Sequence, residues 1–141
     1  MSEQNKDLFR RMVDEVFAQG KVDVINELIE PNWVDHNPIP GQEPGPEGMK
    51  KLVVMFRDAF PDLTSNVDLL MAEGDLVAGR MTTSGTHKGE FMGIPPTNKR
   101  FTMSETHIVR IANGKAVEHW GNSDDMGMMQ QLGVIPGPEG G

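Results

Sequence analysis

The sequence predicts an α+β fold, in which about three N-terminal helices pack on a strongly curved antiparallel sheet and a short C-terminal helix follows. Apolar residues recur at helical spacing as far as Phe60, and from Leu63 the period changes to two. The chain of 141 residues suits one domain with one core. We expect that core to span residues 8–133, with a mobile tail over residues 134–141.

Two helices are predicted before residue 30. The first spans residues 5–19 with one apolar stripe, and it ends at Gly20 because glycine readily adopts the conformation that terminates a helix. The second is short, spanning residues 22–29, because Pro31 cannot continue a helix.

A short extended segment, residues 33–37, is predicted after the second helix. The proline-rich loop that follows it is expected to lie over an opening. The third helix begins at Pro46, since proline is tolerated in the first helical turn, and it ends at Pro61.

Four strands are predicted in the second half of the chain. The first two span residues 63–73 and 76–86, and a long loop separates them from a hairpin over residues 100–124. Loops of this length are often functional. A short helix over residues 126–132 follows the hairpin.

The hairpin carries the candidate site. One face of its first arm is apolar except for Glu105 and His107. A carboxylate that faces a core costs several kcal/mol unless it is paired or hydrated. Two titratable groups two residues apart therefore favour the wall of a cavity.

The register of the hairpin decides which residues of its second arm face that cavity. Asn113-Gly114 is the strongest signal for a two-residue loop, which pairs Ala112 with Lys115. The inner face then gathers Glu105, His107, Trp120, Asn122 and Asp124. A three-residue loop with a bulge would instead place His119 there. We favour the first register, with His119 on the outer face beside Ile108.

Composition excludes several classes of function. A net charge of −8 disfavours nucleic acid as a partner. No apolar run is long enough to span a membrane, and from the first residues we expect no secretory signal. The absence of cysteine excludes thiolate metal sites and is consistent with a cytoplasmic protein. The histidines lack the spacing of a metal site, so we expect no metal. Eleven methionines suit a pocket that adapts to a hydrophobic or aromatic small molecule.

Several segments resemble a known family. The stretches V-D-H-N-P, A-F-P-D-L, G-T-H-K-G-E-F-M-G-I-P-P-T-N-K-R and G-K-A-V-E-H-W-G-N-S-D-D-M-G-M-M-Q-Q-L-G are similar to the SnoaL-like polyketide (ester) cyclases of the nuclear-transport-factor-2-like superfamily. This resemblance covers roughly residues 8–133. It implies a cone with a deep hydrophobic pocket, a homo-oligomer (dimer or tetramer), no cofactor, and closure of a polyketide ring by intramolecular aldol condensation.

The family's acid/base is an aspartate four residues after the tryptophan of the last strand, and here that position is Asp124. We expect Asp124 to point inward while Asp125 caps the last helix. His107 is the second catalytic candidate. The expected substrate-binding residues are Glu105, Trp120, Asn122, His36, Asn37 and Met103. His36 and Asn37 also fit a turn-capping role at the pocket mouth.

Other interpretations remain open at this stage. A non-catalytic binder of a hydrophobic small molecule fits the same pattern, and so does an isomerase, a hydroxylase or an epoxide hydrolase on this fold. The epoxide hydrolases use an Asp-Arg-Asp set, whereas Arg110 is predicted to point away from the inner face. His87 in the long loop is expected to be solvated.

Overall fold

A computed structural model describes residues 2–136 of the chain. Residues 137–141, which belong to the predicted tail, lie outside the described residues. The architecture confirms the predicted α+β class, with helices on one face of a curved sheet. We call the face covered by helices the inner face, and the opposite one the outer face.

Helices cover the sheet from both ends of the chain. The first, α1 (Ser2–Arg11), continues as wider π-helical turns over Met12–Ala18. The predicted second helix is a 3₁₀ turn (Val22–Val24) followed by α2 (Ile25–Leu28). The remaining helices are α3 (Gly45–Ala59), which has proline in its first turn, and α4 (Asp125–Leu132).

The sheet has five strands in the order β1-β5-β4-β3-β2. They are β1 (Ile29–Asp35), β2 (Thr64–Glu73), β3 (Leu76–Thr86), β4 (Arg100–Ala112) and β5 (Lys115–Ser123). The prediction of four strands was incomplete, because residues 33–37 were expected only as a short extended segment. Strand β1 pairs in parallel with β5, which comes some 80 residues later, so no local pattern reveals the pairing.

The predicted register of the β4–β5 hairpin is correct at the turn and wrong beyond it. Ala112 pairs with Lys115 and Ile111 with Ala116, as expected, but Arg110 then pairs with Glu118. Val117 is the extra residue of a β-bulge. Because side chains alternate between faces, one extra residue exchanges the faces of everything after it.

Two apolar clusters lie on the inner face. The larger joins α1, α2, α3 and the sheet, and it includes Trp33, Met81 and Ile111. The smaller, near α4, includes Phe101 and Met103. Along the inner face of β4, Glu105 and His107 therefore separate the two clusters. Within residues 2–136, no helix is both long and apolar enough to cross a membrane.

Candidate active site

Four side chains from three strands form one hydrogen-bonded row on the inner face. Asp35 Oδ1 lies 2.9 Å from His119 Nδ1, His119 Nε2 lies 2.8 Å from His107 Nδ1, and His107 Nε2 lies 3.0 Å from Glu105 Oε1. Their side chains are only 11–24% exposed. We call Asp35, His119, His107 and Glu105 the inner polar chain.

Hydroxyl groups extend the inner polar chain at its Glu105 end. Thr83 donates a hydrogen bond to Glu105 Oε2, and the Ser65 hydroxyl lies 2.9 Å from that of Thr83. Burial raises the pKa of Glu105, but the hydrogen bonds from His107 and Thr83 and the attraction of the imidazoles lower it further, so the pKa lies below its usual range. Glu105 is therefore held as a carboxylate.

Backbone and amide donors hold the other end. The backbone N–H of Asn37 donates to Asp35 Oδ1 at 3.0 Å, and Gln42 Nε2 donates to Asp35 Oδ2 at 3.1 Å. Burial raises the pKa of Asp35, yet these donors and His119 outweigh burial and leave the pKa below its ordinary value. The inner polar chain thus ends in a carboxylate on both sides.

Gly121 makes room for the contact between the two histidines. It lies opposite His107 on the inner face, and a Cβ built there would lie 2.6 Å from His107 Nδ1 and 2.9 Å from His119 Nε2. Any side chain at this position would therefore displace one of the rings. Trp33 packs against the other side of His119, with 5.9 Å between ring centroids.

Two open depressions lie near this region. One, of about 210 Å³, is lined mostly by outer-face residues, among them Arg80, Asn122 and Asp124, and it also reaches Glu105. The other, of about 300 Å³, lies between α1 and β2. Drug-sized ligands usually occupy clefts of about 300–1,000 Å³. The deep hydrophobic pocket implied by the resemblance therefore stays a prediction. Residues 2–136 contain no group of three or more side chains placed to hold a metal ion.

Comparison with known proteins identifies the family. Residues 7–132 match the family model of the SnoaL-like polyketide cyclases. The chain is 34% identical over 141 residues to DnrD, an aklanonic acid methyl ester cyclase of Streptomyces peucetius, covering 95% of this chain and 94% of the relative. It is 30% identical over 119 residues to a nogalonic acid methyl ester cyclase of Streptomyces nogalater, covering 83% of this chain and 89% of the relative.

A solved structure shares the fold of this chain. The structure of TsrD from Streptomyces laurentii superposes with a TM-score of 0.88 at 28% identity, covering 96% of this chain and 98% of TsrD. The chain belongs to the SnoaL-like polyketide cyclase family. In this SnoaL-like protein, the inner polar chain is a set of titratable side chains that the fold gathers on the inner face.

Two predicted contacts of this SnoaL-like site are wrong because of the bulge at Val117. Trp120 pairs with Ile108 and Asn122 with Thr106, so both lie on the outer face. Trp120 stacks there on His36, with ring centroids 4.8 Å apart. His119, expected outside, lies inside instead. Met103 is buried on the inner face, as predicted.

The expected inward orientation of Asp124 is also wrong. Its backbone N–H bonds to the carbonyl of Ser104, which continues the shifted register and places Asp124 with the outer set. Its carboxylate accepts the N–H of Gly127 at 3.0 Å, so Asp124, not Asp125, caps α4. The residue is exposed. The role in acid/base chemistry that the family motif implies for it stays a prediction.

The remaining histidines and Asn37 also have defined places. His36 lies on the outer face, where Nε2 is 2.9 Å from Glu118 Oε2. Asn37 Oδ1 accepts the N–H of Gly121, which ties the end of β1 to β5. The expectation of a solvated His87 is wrong, because its side chain is fully buried and its Nδ1 accepts the backbone N–H of Thr97.

Sequence reasoning missed Asp35 and Thr83. Asp35 stands in the V-D-H-N-P stretch, but its partner His119 lies across a non-local parallel pairing. Thr83 lies at an inner position of β3 and is buried although it is polar. The sequence does carry a signal for Thr83, because a hydroxyl group among the inward-facing apolar residues of a strand needs a hydrogen-bond partner.

Proposed function

We propose that this protein is a cofactor-free cyclase that closes a ring of a polyketide-derived ester by intramolecular aldol condensation. The observation that supports this best is the inner polar chain, a half-buried row of two carboxylates and two imidazoles between two apolar clusters. The named relatives act on the methyl esters of aklanonic and nogalonic acid. We extend that substrate class, a polycyclic methyl ester with an enolisable carbonyl, to this chain.

The reaction needs a base at carbon and a donor at oxygen. Glu105 is the proposed base, since its carboxylate is ionised and stands beside the apolar cluster around Met103. His107, hydrogen-bonded to Glu105, is the proposed acid. After His107 has given its Nε2 proton to the substrate, the proton that Glu105 took from carbon can pass to that nitrogen through the 3.0 Å contact.

Proton and electron balance requires no further reactant. The base removes a proton next to one carbonyl, the resulting enolate carbon attacks a second carbonyl, and the alkoxide oxygen takes up a proton from His107. One C–H bond and one C=O π bond are exchanged for one C–C bond and one O–H bond. The enzyme returns to its starting protonation state, which is consistent with catalysis by side chains alone.

Trp33 offers a donor for the developing oxyanion. Its indole is buried, packs against His119, and its Nε1–H has no hydrogen-bond partner among the described residues. An N–H donor in a water-poor site stabilises negative charge more strongly than one in bulk water. We therefore include Trp33 among the substrate-contacting residues of the proposal.

The test is incubation with aklanonic acid methyl ester and with nogalonic acid methyl ester. The expected product has the mass of the substrate and one more ring, and chromatography with mass spectrometry and NMR detects it. His107→Gln should remove turnover and preserve ligand affinity, because the amide keeps polarity but cannot act as an acid.

Two results would count against the cyclase. A compound that binds tightly but is never transformed by the wild type would make the protein a binder. Equal turnover in wild type and His107→Gln would remove the inner polar chain from the chemistry. Arg110→Gln on the outer face is the matched control, and its turnover should stay within about twofold of wild type.

The proposal also includes a cytoplasmic location and a homo-oligomer. Exposed apolar side chains of the outer face, Leu69, Met71 and Ile108, offer a surface for a second copy. Light scattering on the purified chain would show a mass of two or four protomers, and a single-protomer mass at assay concentrations would contradict this part.

A further inference from the structure

The distances within the inner polar chain determine how many protons it holds. A neutral imidazole carries one N–H and one lone pair. Because Asp35 and Glu105 are acceptors, the protons of the two rings belong on His119 Nδ1 and His107 Nε2. The remaining nitrogens, His107 Nδ1 and His119 Nε2, would then present two lone pairs to each other at 2.8 Å.

Two facing lone pairs repel, whereas 2.8 Å is the distance of a strong N–H···N hydrogen bond. We infer that His107 and His119 share one additional proton, and that Asp35 and Gly121 are the positioning residues that keep it between the rings. The pair is then an imidazole and an imidazolium between two carboxylates. The catalytic consequence of this arrangement rests on the proposed cyclase function, but the proton count does not.

Charge balance favours the extra proton. The charged groups that face the two rings are Asp35 from β1 and Glu105 from β4. Strand β3 contributes the neutral Thr83, β5 contributes Gly121, and Trp33 covers His119. Without the extra proton the four groups would carry two negative charges in a site that is mostly removed from water, and with it they carry one.

The absence of a side chain at Gly121 leaves room for the His107 and His119 rings to meet. Strand positions 107 and 119 are diagonal neighbours, and position 121 lies directly opposite His107. Diagonal side chains meet over that position only if it carries no Cβ, as the 2.6 Å distance to His107 Nδ1 shows. The bulge at Val117 then places His119 on the same face as His107.

The shared proton allows the proposed acid, His107, to be reprotonated from within the inner polar chain. When His107 protonates an oxygen, the shared proton shifts from His119 to His107, and both rings are then neutral. The proton that Glu105 took from carbon restores the imidazolium through the His107 Nε2 contact. The 2.8 Å contact joins the two rings, so the shared proton belongs to the pair and not to either ring alone.

The experiment is NMR on the full chain labelled with ¹⁵N-histidine, from pH 5 to pH 10, without substrate. Signals of His36 and His87 are assigned with His36→Gln and His87→Gln. In wild type at pH 7, three protons should be distributed over the four ring nitrogens of His107 and His119. One proton should leave as a single coupled step at higher pH.

Asp35→Asn should lower the pH of that step by about one to three units, since it removes an adjacent negative charge and preserves shape. Asp62→Asn is the matched control, because Asp62 is a carboxylate held by Thr86 outside the inner polar chain. It should leave the step unchanged. Gly121→Ala should abolish the hydrogen bond between His107 Nδ1 and His119 Nε2. If Gly121→Ala does not fold, the Asp35→Asn variant alone tests the shared proton.

Two protons over four ring nitrogens at pH 7 would overturn the inference, and so would a step that Asp35→Asn and Asp62→Asn move equally. These outcomes are independent of turnover. A shared proton without cyclisation would leave the inference standing and remove the proposed function. Cyclisation without a shared proton would leave the proposed function standing and remove the inference.

Discussion

The two faces of the β4–β5 hairpin each carry a cluster that contains histidine, two carboxylates and a neighbouring tryptophan. The inner polar chain has two histidines, two carboxylates and the adjacent Trp33. The outer face has His36, Glu118, Arg110 and Asp75, linked at 2.7–2.9 Å beside Trp120. We call these four linked residues the outer polar cluster.

Burial separates the two clusters. Side chains of the outer polar cluster are 30–51% exposed, against 11–24% in the inner polar chain. Water screens exposed ion pairs, so they contribute little and need no defined proton position. Partial desolvation inside strengthens each charge interaction and makes the position of each proton matter. Chemistry is therefore expected on one face only, although both faces look alike in sequence.

The largest effect is expected from neutralising one carboxylate on each face. Glu105→Gln should lower turnover of the methyl esters by about 100-fold or more, because general base catalysis typically contributes about 10²–10⁴. Glu118→Gln should stay within about twofold. Initial rates measured side by side test this, and equal losses in both variants would end the distinction between the faces.

Gly121→Ala sharpens the comparison through packing. The new methyl group would lie on the His107–His119 contact, so we expect the free energy of unfolding to fall by about 1–3 kcal/mol. Urea denaturation measures this change. Asn122→Ala, on the exposed outer face one residue later, is the control and should have a much smaller effect. Unchanged stability in Gly121→Ala would mean that the two rings are not in contact.

Replacement of the α4 cap separates structure from chemistry at Asp124. Asp124→Ala should cost about 1 kcal/mol of stability, whereas Asp124→Asn should cost little because asparagine is an equally good N-cap. Turnover of both folded variants should stay close to wild type. Loss of turnover in Asp124→Asn would instead restore the acid/base role that the family motif implies.

The smallest expected effect is on acid stability. The pKa values of Asp35 and Glu105 are lowered by folding, so the stabilisation that they give is complete above about pH 5. It is lost as the pH falls through the lowered values. The double variant Asp35→Asn/Glu105→Gln should therefore lose less stability than wild type between pH 5 and pH 2.

Salt distinguishes the faces in the same acid titration. The pKa of Glu118 is also lowered, by hydrogen bonds from His36 and Arg110. Because these groups are exposed, 1 M salt should remove most of their contribution and leave that of the inner polar chain. An acid titration of wild type that salt flattens completely would contradict the assignment to the inner face.

The fold was predictable because its signals are local. The change of period at Leu63, the proline at the start of α3 and the Asn113-Gly114 turn each define an element from neighbouring residues. The inner-face position of Glu105 and His107 was also predictable, since they interrupt an apolar face.

The composition of the site was not predictable because it depends on non-local packing. No glycine marks the bulge at Val117, so nothing in A-V-E-H distinguishes it from regular strand. Burial of His87 depends on Phe60, which packs 5.5 Å from its ring and comes from another element. Asp35 reaches His119 only through a parallel pairing of distant segments.

The extra residue Val117 determines which side chains of β5 face the helices. A strand shortened there by one codon would turn His119 towards solvent and bring Trp120 and Asn122 against the helices, with every other amino acid retained. Such a deletion would convert an ionisable wall into one made of an indole and an amide. Homologues aligned residue by residue through this strand can therefore present opposite walls to a ligand while seeming to share the same motif.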